Sequence, residues 1–149
     1  MRLVPVKEHL HENEKFLAHP ECSKNVGMCV DFYKKIGFNP PWICYYAELD
    51  GEYVGGFAFK GKPVNNRVEL AYVVFPDHQN KGIGSRGAKE LVKLAEETAP
   101  GVIVTARTLP EENYSVRLLR KNNFKWLGVV EDPEDGTLWE WEYQNPETY

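Results

Sequence analysis

Hydrophobic positions along the chain recur at two spacings, which predict helices in some segments and strands in others. Spacings of three and four, together with polar faces, predict helices over residues 8 to 18, 25 to 36, 85 to 98 and 111 to 122. Gly37 and Asn123 stand directly after two of these segments, where a left-handed residue commonly ends a helix. The last helix begins with acidic and ends with basic residues, as its dipole favours.

Runs of aromatic and β-branched residues predict strands between these helices. They cover residues 1 to 6, 42 to 49, 53 to 59, 67 to 75, 102 to 107, 124 to 130 and 138 to 143. Asp50-Gly51 predicts a two-residue hairpin between the second and third strands. The run at residues 67 to 75, RVELAYVVF, is almost continuously apolar, which is typical of a central strand buried on both faces.

Residues 67 to 107 therefore form a strand, a helix and a second strand, a βαβ unit whose strands should be parallel with a right-handed crossover. The order of elements predicts an α/β (α+β) fold. We expect one mixed, mostly antiparallel sheet of about seven strands with this unit at its centre and helices on both faces. A chain of 149 residues has the usual size of one domain, so residues 1 to 149 are predicted to form a single domain.

Composition narrows the class of protein. The chain is 42% hydrophobic and 27% charged, as in soluble globular proteins. It contains no run near the roughly 20 apolar residues that cross a membrane, and its first residues lack the apolar core of a signal peptide. Three cysteines, Cys22, Cys29 and Cys44, favour reduced thiols over a disulfide framework. We therefore expect a cytoplasmic protein with no membrane partner.

His19 and Cys22 could begin a metal site, but no second close pair of ligands completes it. No metal is expected.

The formal net charge of -4 disfavours broad nucleic-acid binding, which depends on a basic surface. Residues 79 to 93 and 113 to 125 nevertheless carry +3 and +4, which leaves -11 on the rest. These basic segments predict a small anionic ligand, although solvated helix faces would give the same pattern.

The glycine-rich segment DHQNKGIGSRG, residues 77 to 87, joins the buried strand to the following helix. Gly82 and Gly84 would let successive backbone amides point into one concavity at the helix N-terminus, which is how proteins bind phosphate. The segment lacks the Gly-Lys-Ser/Thr ending of a nucleoside-triphosphate loop, and residues 102 to 107 hold no acid suited to a dinucleotide ribose. A tight turn without a ligand is the simpler alternative.

The hexapeptide Gln79-Asn80-Lys81-Gly82-Ile83-Gly84 resembles the Q/R-x-x-G-x-G/A signature of the GNAT superfamily of acyl-CoA-dependent N-acyltransferases. It also follows an apolar strand and opens an amphipathic helix, as in that family. Residues 112 to 124 resemble the second signature of the family, in which Asn, then Ser or Ala, then K-x-G-F close the sheet. The resemblance covers essentially the whole chain.

Three positions depart from the family pattern. Glu112 occupies the usual place of the Asn unless the register slips to Asn113, and Asn123 replaces a Gly, a change that the left-handed conformation tolerates. Leu119 stands where many members carry a Tyr that protonates the departing thiolate.

The resemblance implies a function: transfer of an acetyl group from acetyl-CoA, or of another short acyl group, to a primary amine of a small molecule or peptide. The amine would attack directly in a ternary complex. The resemblance also implies coenzyme contacts from Val73, Val74, Phe75, Gln79, Asn80, Lys81, Gly82, Ile83, Gly84, Ser85, Asn113, Ser115, Arg120 and Lys121. The pantetheine arm would meet the strand end like an added β-strand, and the pyrophosphate would lie on the amides of residues 80 to 85.

Transfer to an amine needs a base, a donor for the oxyanion and a proton for the thiolate. Glu69 is the acid within the buried strand and matches the catalytic glutamate of some family members, so it is the candidate base. The alternative is a structural ion pair with Arg67 or Arg107. The amide of Val74 is the candidate oxyanion donor. With Leu119 unable to supply a proton, Tyr114 and Ser115 are the candidate general acids.

The acceptor is less well defined by the sequence. Aromatic residues on the predicted strands could line its pocket, although alternating aromatics are more often core: Tyr45, Tyr46, Phe57, Trp139 and Trp141. The -11 charge outside the basic segments favours a cationic acceptor such as a polyamine, an aminoglycoside-like amine or a peptide N-terminus. A homodimer is compatible with the sequence.

Two other classes of function stay open: a non-catalytic acyl-CoA-binding module, suggested by Leu119 and Glu112, and another nucleotide-binding domain.

Overall fold

The computed structural model describes residues 1–145, which contain one seven-stranded sheet in the order β1-β2-β3-β4-β5-β7-β6. The strands are β1 (Arg2–Pro5), β2 (Cys44–Leu49), β3 (Glu52–Phe59), β4 (Arg67–Val74), β5 (Ile103–Thr108), β6 (Phe124–Asp132) and β7 (Gly136–Tyr143). The central pair β4–β5 is parallel, and the other neighbouring strands are antiparallel. The mixed, mostly antiparallel sheet predicted from the sequence is confirmed.

The helices lie on both faces of this sheet. They are α1 (Glu14–Leu17), α2 (Val26–Ile36), α3 (Ile83–Thr98) and α4 (Tyr114–Lys121), with 3₁₀ turns at Leu10–Glu12, Cys22–Lys24 and Pro76–His78. The hydroxyl of Tyr46, on β2, contacts the turn that precedes α2, whereas Phe57 of β3 lies beneath Gly87 of α3. Because the partner of Tyr46 is Gly56 and neighbouring strand residues point to opposite faces, α2 and α3 pack on opposite sides.

The loops between elements follow the predicted backbone. Asp50 and Gly51 have φ values of 51° and 82°, as a tight hairpin with two left-handed central residues requires. Asn123 ends the α4 segment at φ 67°, the conformation in which Asn replaces Gly most readily. Both turns were therefore predictable from the residues that form them.

The predicted helix over residues 8 to 18 is wrong. The structure instead breaks this segment into a 3₁₀ turn and the single-turn helix α1, which meet at Asn13. The Asn13 side chain is fully buried, accepts the N–H of Lys7 at 2.8 Å and donates to the carbonyls of Lys7 and His9. These bonds compete with helical hydrogen bonds and turn the chain at this point.

Helix α3 packs very closely on the sheet. A Cβ atom at Gly87 would lie 2.0 Å from the ring of Phe57, and Phe57 is itself 1% exposed. Ala88, Leu91 and Ala95 continue the buried face of the helix. This contact fixes the start of α3, and with it the glycine-rich loop, over the carboxyl end of β4.

Candidate active site

The central parallel strands pair for only part of their length. In the described residues, the β4–β5 ladder joins Arg67–Leu70 to residues 103 to 106. Beyond Leu70, β4 continues to Val74 in register with β3, and β5 continues to Thr108 in register with β7. The two strands therefore diverge, and residues 71 to 74 of β4 present an open edge towards the resulting gap.

The register of β3 and β4 determines which amides face this gap. Phe75 donates its N–H to the carbonyl of Val54 at 2.9 Å, and the carbonyl of Glu69 accepts the N–H of Lys60 at 2.9 Å. In an antiparallel pair such bonds occur at alternate residues, so the amides of Tyr72 and Val74 point the other way, into the gap. This places the candidate oxyanion donor at Val74 on the open edge, whereas the N–H groups of Val73 and Phe75 face β3 and not a coenzyme.

The loop after β4 builds a concave set of amides. Asn80 and Gly82 have φ values of 62° and 77°, so left-handed residues alternate with Lys81, an arrangement that turns successive N–H groups to one side. Helix α3 begins at Ile83, and its N-cap Gly82 has no side chain to accept the first amides. Those N–H groups and the positive end of the helix dipole favour an anion here.

This loop faces α4 across a cleft of about 270 Å³, lined among others by Asn80, Gly82, Ser85, Tyr114, Arg117 and Lys121. Lys121, a predicted coenzyme contact, thus lies beside the amides. Arg117 was missed, although its spacing of four from Lys121 puts both cations on one face of α4. The side chain of Gln79 turns back to donate to the carbonyl of Val74 at 3.2 Å, which ties the loop to the open edge.

Three of the residues expected at the coenzyme use their side chains elsewhere. Arg120 pairs with Glu112 at 2.7 Å and lies over the Trp141 ring at 5.5 Å, away from the cleft. Asn113 caps α4 by accepting the N–H of Val116 at 3.0 Å. The Ser85 hydroxyl accepts from the Asn122 amide at 2.7 Å, which leaves the Ser85 backbone amide to face an anion.

Gly82 and Gly84 meet different requirements. A Cβ atom on Gly82 would have open space around it, but the φ of 77° is strained for any residue with a side chain. A Cβ atom on Gly84 would instead lie 2.6 Å from Cδ1 of Leu118 and 2.9 Å from the Tyr114 hydroxyl. The second glycine therefore allows α3 to approach α4, and Tyr114 covers the start of α3.

The departures from the family pattern have structural explanations. Leu119 is fully buried and packs α4 on the sheet, so its position does not face the cleft. Arg120 donates a hydrogen bond to Glu112 and thereby lowers the pKa of that carboxyl, which accounts for an acid at the usual Asn position. Neither residue is evidence against catalysis.

Hydroxyl groups gather where the gap meets α4. The two candidate general acids lie here: Tyr114 is 37% exposed and Ser115 is half-buried. Tyr72 was missed: its hydroxyl lies 3.5 Å from the carbonyl oxygen of Ser115, and burial raises its pKa to about 12. The sequence did not indicate this position for Tyr72, because a Tyr within an apolar strand is usually a core residue.

Glu69 lies in an ion-pair network on the α2 side of the sheet. Its carboxylate is 3.0 Å from Nζ of Lys60 and 3.8 Å from Nε of Arg107. Arg67, the other predicted partner, pairs instead with Glu142 at 3.2 Å. Lys60 was not foreseen, since it reaches Glu69 from the neighbouring strand. Glu69 is four residues before Val73 on the same face, about 13 Å along the strand.

Of the candidate aromatic residues, Phe57 and Trp141 are core side chains, each 1% exposed. Tyr45 and Tyr46 are buried as well. The Tyr45 ring lies on the α3 face with its strand partner Phe57, whereas Tyr46 lines a second cleft, of about 280 Å³, between α2 and the sheet. Among residues 1–145, no group of three His, Cys, Asp or Glu side chains could hold a metal ion. No helix in that range is long and apolar enough to cross a membrane.

A strand-end amide facing a gap, a nest of amides at a helix N-terminus and the order of the sheet together define an acyl-CoA transferase fold. The chain matches the acetyltransferase (GNAT) family over residues 8–124 and belongs to that family. Its members use acetyl-CoA, and the protein is accordingly an N-acetyltransferase. No curated protein sequence matches the chain.

Solved structures share the fold at low sequence identity. The acetyltransferase that modifies the N-terminal serine of ribosomal protein L7/L12 in Salmonella typhimurium is 14% identical, with a TM-score of 0.69 over 96% of this chain and 94% of that chain. A ribosomal-protein-alanine N-acetyltransferase from Brucella melitensis is 22% identical, with a TM-score of 0.61 over 82% and 78%. A spermidine N-acetyltransferase chimera from Vibrio cholerae and hSSAT is 12% identical, with a TM-score of 0.69 over 96% of this chain and 95% of that chain.

Gly84→Val tests whether the contact between α3 and α4 shapes the phosphate site. Because Cβ and its methyl groups would push against Leu118 and Tyr114, we expect CoA to bind at least about tenfold more weakly, equivalent to roughly 1.4 kcal/mol. Calorimetric titration measures this once circular dichroism shows a folded variant. Gly27→Val is the control, since nothing lies within 4 Å of its Cβ position. Unchanged affinity in a folded Gly84→Val protein would move the pyrophosphate elsewhere.

Proposed function

We propose that the protein transfers the acetyl group of acetyl-CoA to a primary amine of a small molecule or peptide, by direct attack in a ternary complex. The observation that carries this proposal is the open edge of β4, where the Val74 amide points into the gap between β4 and β5. An acyl donor bound along this edge would be held by backbone groups and would leave its carbonyl accessible from the α2 side.

The coenzyme is proposed to run from the amide nest to this edge. Its pyrophosphate binds the amides of residues 80 to 85, with Lys121 and Arg117 nearby. Its pantetheine arm lies beside residues 72 to 74 and pairs with the gap-facing amides of Tyr72 and Val74 as an added strand would. The local nest supplies the positive potential that the overall charge of -4 does not.

The transfer forms a C–N bond, breaks the C–S bond and moves one proton from nitrogen to sulfur. The neutral amine nitrogen attacks the thioester carbon, and the oxygen that becomes negative accepts the N–H of Val74. The C–S bond breaks as the carbonyl re-forms, so the acetyl group stays on nitrogen and CoA leaves as a thiolate. The nitrogen loses a proton and the sulfur gains one, which assigns roles to a base and an acid.

Glu69 is the proposed base. Its carboxylate lies on the α2 side of β4, and Lys60 and Arg107 hold it in place. Since it is about 13 Å along the strand from Val73, it would receive the amine proton through intervening water. The same ion pairs would also serve a purely structural role, so the experiment must separate the two.

Glu69→Gln is expected to lower kcat by about 100-fold or more at neutral pH, because general base catalysis contributes that much. The loss should narrow as the pH rises toward about 10.4, the ordinary pKa of a lysine-type amine, because solvent then deprotonates the acceptor. Release of free thiol from acetyl-CoA with a panel of primary amines measures both effects.

Lys60→Ala is the control for this prediction, since it removes an ion pair and keeps the carboxylate. Equal losses in Glu69→Gln and Lys60→Ala, with no change in pH dependence, would assign Glu69 a structural role alone. Binding of CoA without thiol release for any amine in the wild-type protein would contradict the proposed transfer itself.

A hydroxyl at the start of α4 is the proposed donor to the thiolate. Tyr114→Phe or Ser115→Ala is expected to lower kcat by at least about 100-fold while the affinity for CoA stays nearly constant. Tyr72→Phe is assayed beside them, because its hydroxyl reaches the same region. A loss confined to Tyr72→Phe would transfer the role to Tyr72. Near-normal turnover in all three would mean that the thiolate takes its proton from water.

The setting of the reaction is also a proposal. Three free cysteines fit a reducing cytoplasmic environment.

A homodimer remains a prediction. The edge strand β6 exposes Trp126, Leu127 and Val129, which is apolar surface on which such a dimer could form.

A further inference from the structure

The cleft between α2 and the sheet lies next to the proposed reaction centre. Its volume is about 280 Å³, smaller than the ~300–1,000 Å³ typical of drug-sized ligand sites, and Val73 of β4 forms part of its wall. Val73 is 48% exposed and directly precedes Val74, whose amide faces the gap. An amine whose body occupies this cleft would therefore have its nitrogen near a thioester carbonyl held at Val74.

The lining of this cleft is mainly apolar. Its wall includes the side chains of Met28, Tyr46, Ala58, Ala71 and Val73, together with two cysteine thiols. Within the described part of the chain, no Asp, Glu, Lys, Arg or His lines it. The Tyr46 hydroxyl is hydrogen-bonded to Asn25 and to the carbonyl of Cys22, so it is already satisfied within the protein.

Charge burial determines which amines such a cleft can hold. A polyamine would bring further ammonium groups out of water with no carboxylate beside them, which is strongly unfavourable. The acid on the same face of β4 is Glu69, and its carboxylate is already paired with Lys60 and Arg107. Apolar carbon, in contrast, gains roughly 25 cal/mol for each Å² removed from water.

We propose that the acceptor carries its primary amine on a compact apolar or aromatic group, and that this group binds in the cleft between α2 and the sheet. This inference rests on the proposed function and names its substrate class. Two sources share the chemistry: a free arylalkylamine, or a peptide whose first residue has a large apolar side chain. Polyamines and aminoglycoside-like amines, favoured by net charge alone, are excluded by the local lining.

Steady-state kinetics test the preference directly. The ratio kcat/KM is measured for 2-phenylethylamine against spermidine, and for tripeptides that begin with phenylalanine against those that begin with aspartate. We expect the apolar member of at least one pair to be favoured by at least about tenfold, the discrimination that roughly one buried methylene can provide. Whichever of 2-phenylethylamine and the phenylalanine tripeptide has the higher kcat/KM shows whether the acceptor is a free amine or a peptide. A kcat/KM for spermidine above those of all three other substrates, or no preference for the apolar member in either pair, would overturn the proposal.

The thiols in the cleft provide a readout that does not require transfer. Cys29 and Cys44 both line it, while Cys22 is fully buried elsewhere. The hydrogen bond from Cys29 to Cys44 lowers the pKa of Cys44 and raises that of Cys29, so Cys44 is the thiol expected to react with N-ethylmaleimide. We expect 2-phenylethylamine, or the phenylalanine tripeptide, to slow modification of Cys44 at least about tenfold when the ligand is at roughly ten times its Kd, and spermidine to have no effect.

The two measurements separate failure of the inference from failure of the proposed function. Protection without thiol release from acetyl-CoA would support the cleft and contradict transfer. Transfer without protection by any apolar amine would overturn the cleft proposal and leave transfer intact. A Cys44 thiol that resists the reagent in the free protein would contradict an open cleft and so overturn the proposal too.

Ala71→Leu tests the location of the acceptor. Ala71 lines the cleft, so added methyl groups should occupy the space of the apolar group and lower kcat/KM for the preferred amine at least about tenfold. The affinity for CoA should stay nearly constant. Ala18→Leu is the matched control, because Ala18 is exposed at the end of α1. An unchanged kcat/KM in folded Ala71→Leu would place the acceptor elsewhere.

Discussion

The structure depends on one constraint: β4 is paired with β3 from Leu70 to its end at Val74, but with β5 only as far as Leu70. A strand in the middle of a sheet normally has both sets of backbone groups occupied. Here the amides of Tyr72 and Val74 face a gap instead, and buried backbone groups need partners. An extended ligand with amide groups of its own meets this need, which is why the opening matters more than any side chain.

The surrounding packing keeps the gap in a fixed relation to the two clefts. Phe57 and Gly87 hold α3 against the sheet, and Gly84 lets α3 approach α4, so the amide nest stands at one end of the open edge. On the opposite face, Val73 separates the gap from the cleft beneath α2. The donor and the acceptor can therefore approach the same carbonyl from two sides of one strand.

Features set by local backbone preferences were predictable from the sequence, and those set by side chains meeting across the fold were not. The Asp50-Gly51 hairpin and the glycine-rich loop carry their geometry in adjacent residues. The choice of Arg117 over Arg120 for the cleft depends on Glu112 and Trp141, which turn Arg120 away. Likewise, the break at Asn13 and the pairing of Glu69 with Lys60 arise from tertiary contacts that spacing does not reveal.

The central claim, that acetyl-CoA binds along the open edge of β4, is tested most directly by residue-resolved amide hydrogen exchange with and without the coenzyme. The account predicts slower exchange at Val74 and Tyr72, whose amides face the gap. The amide of Phe75, already bonded to Val54, serves as an internal reference and should change little. Exchange at Val74 and Tyr72 that is unaffected by saturating acetyl-CoA would contradict the account.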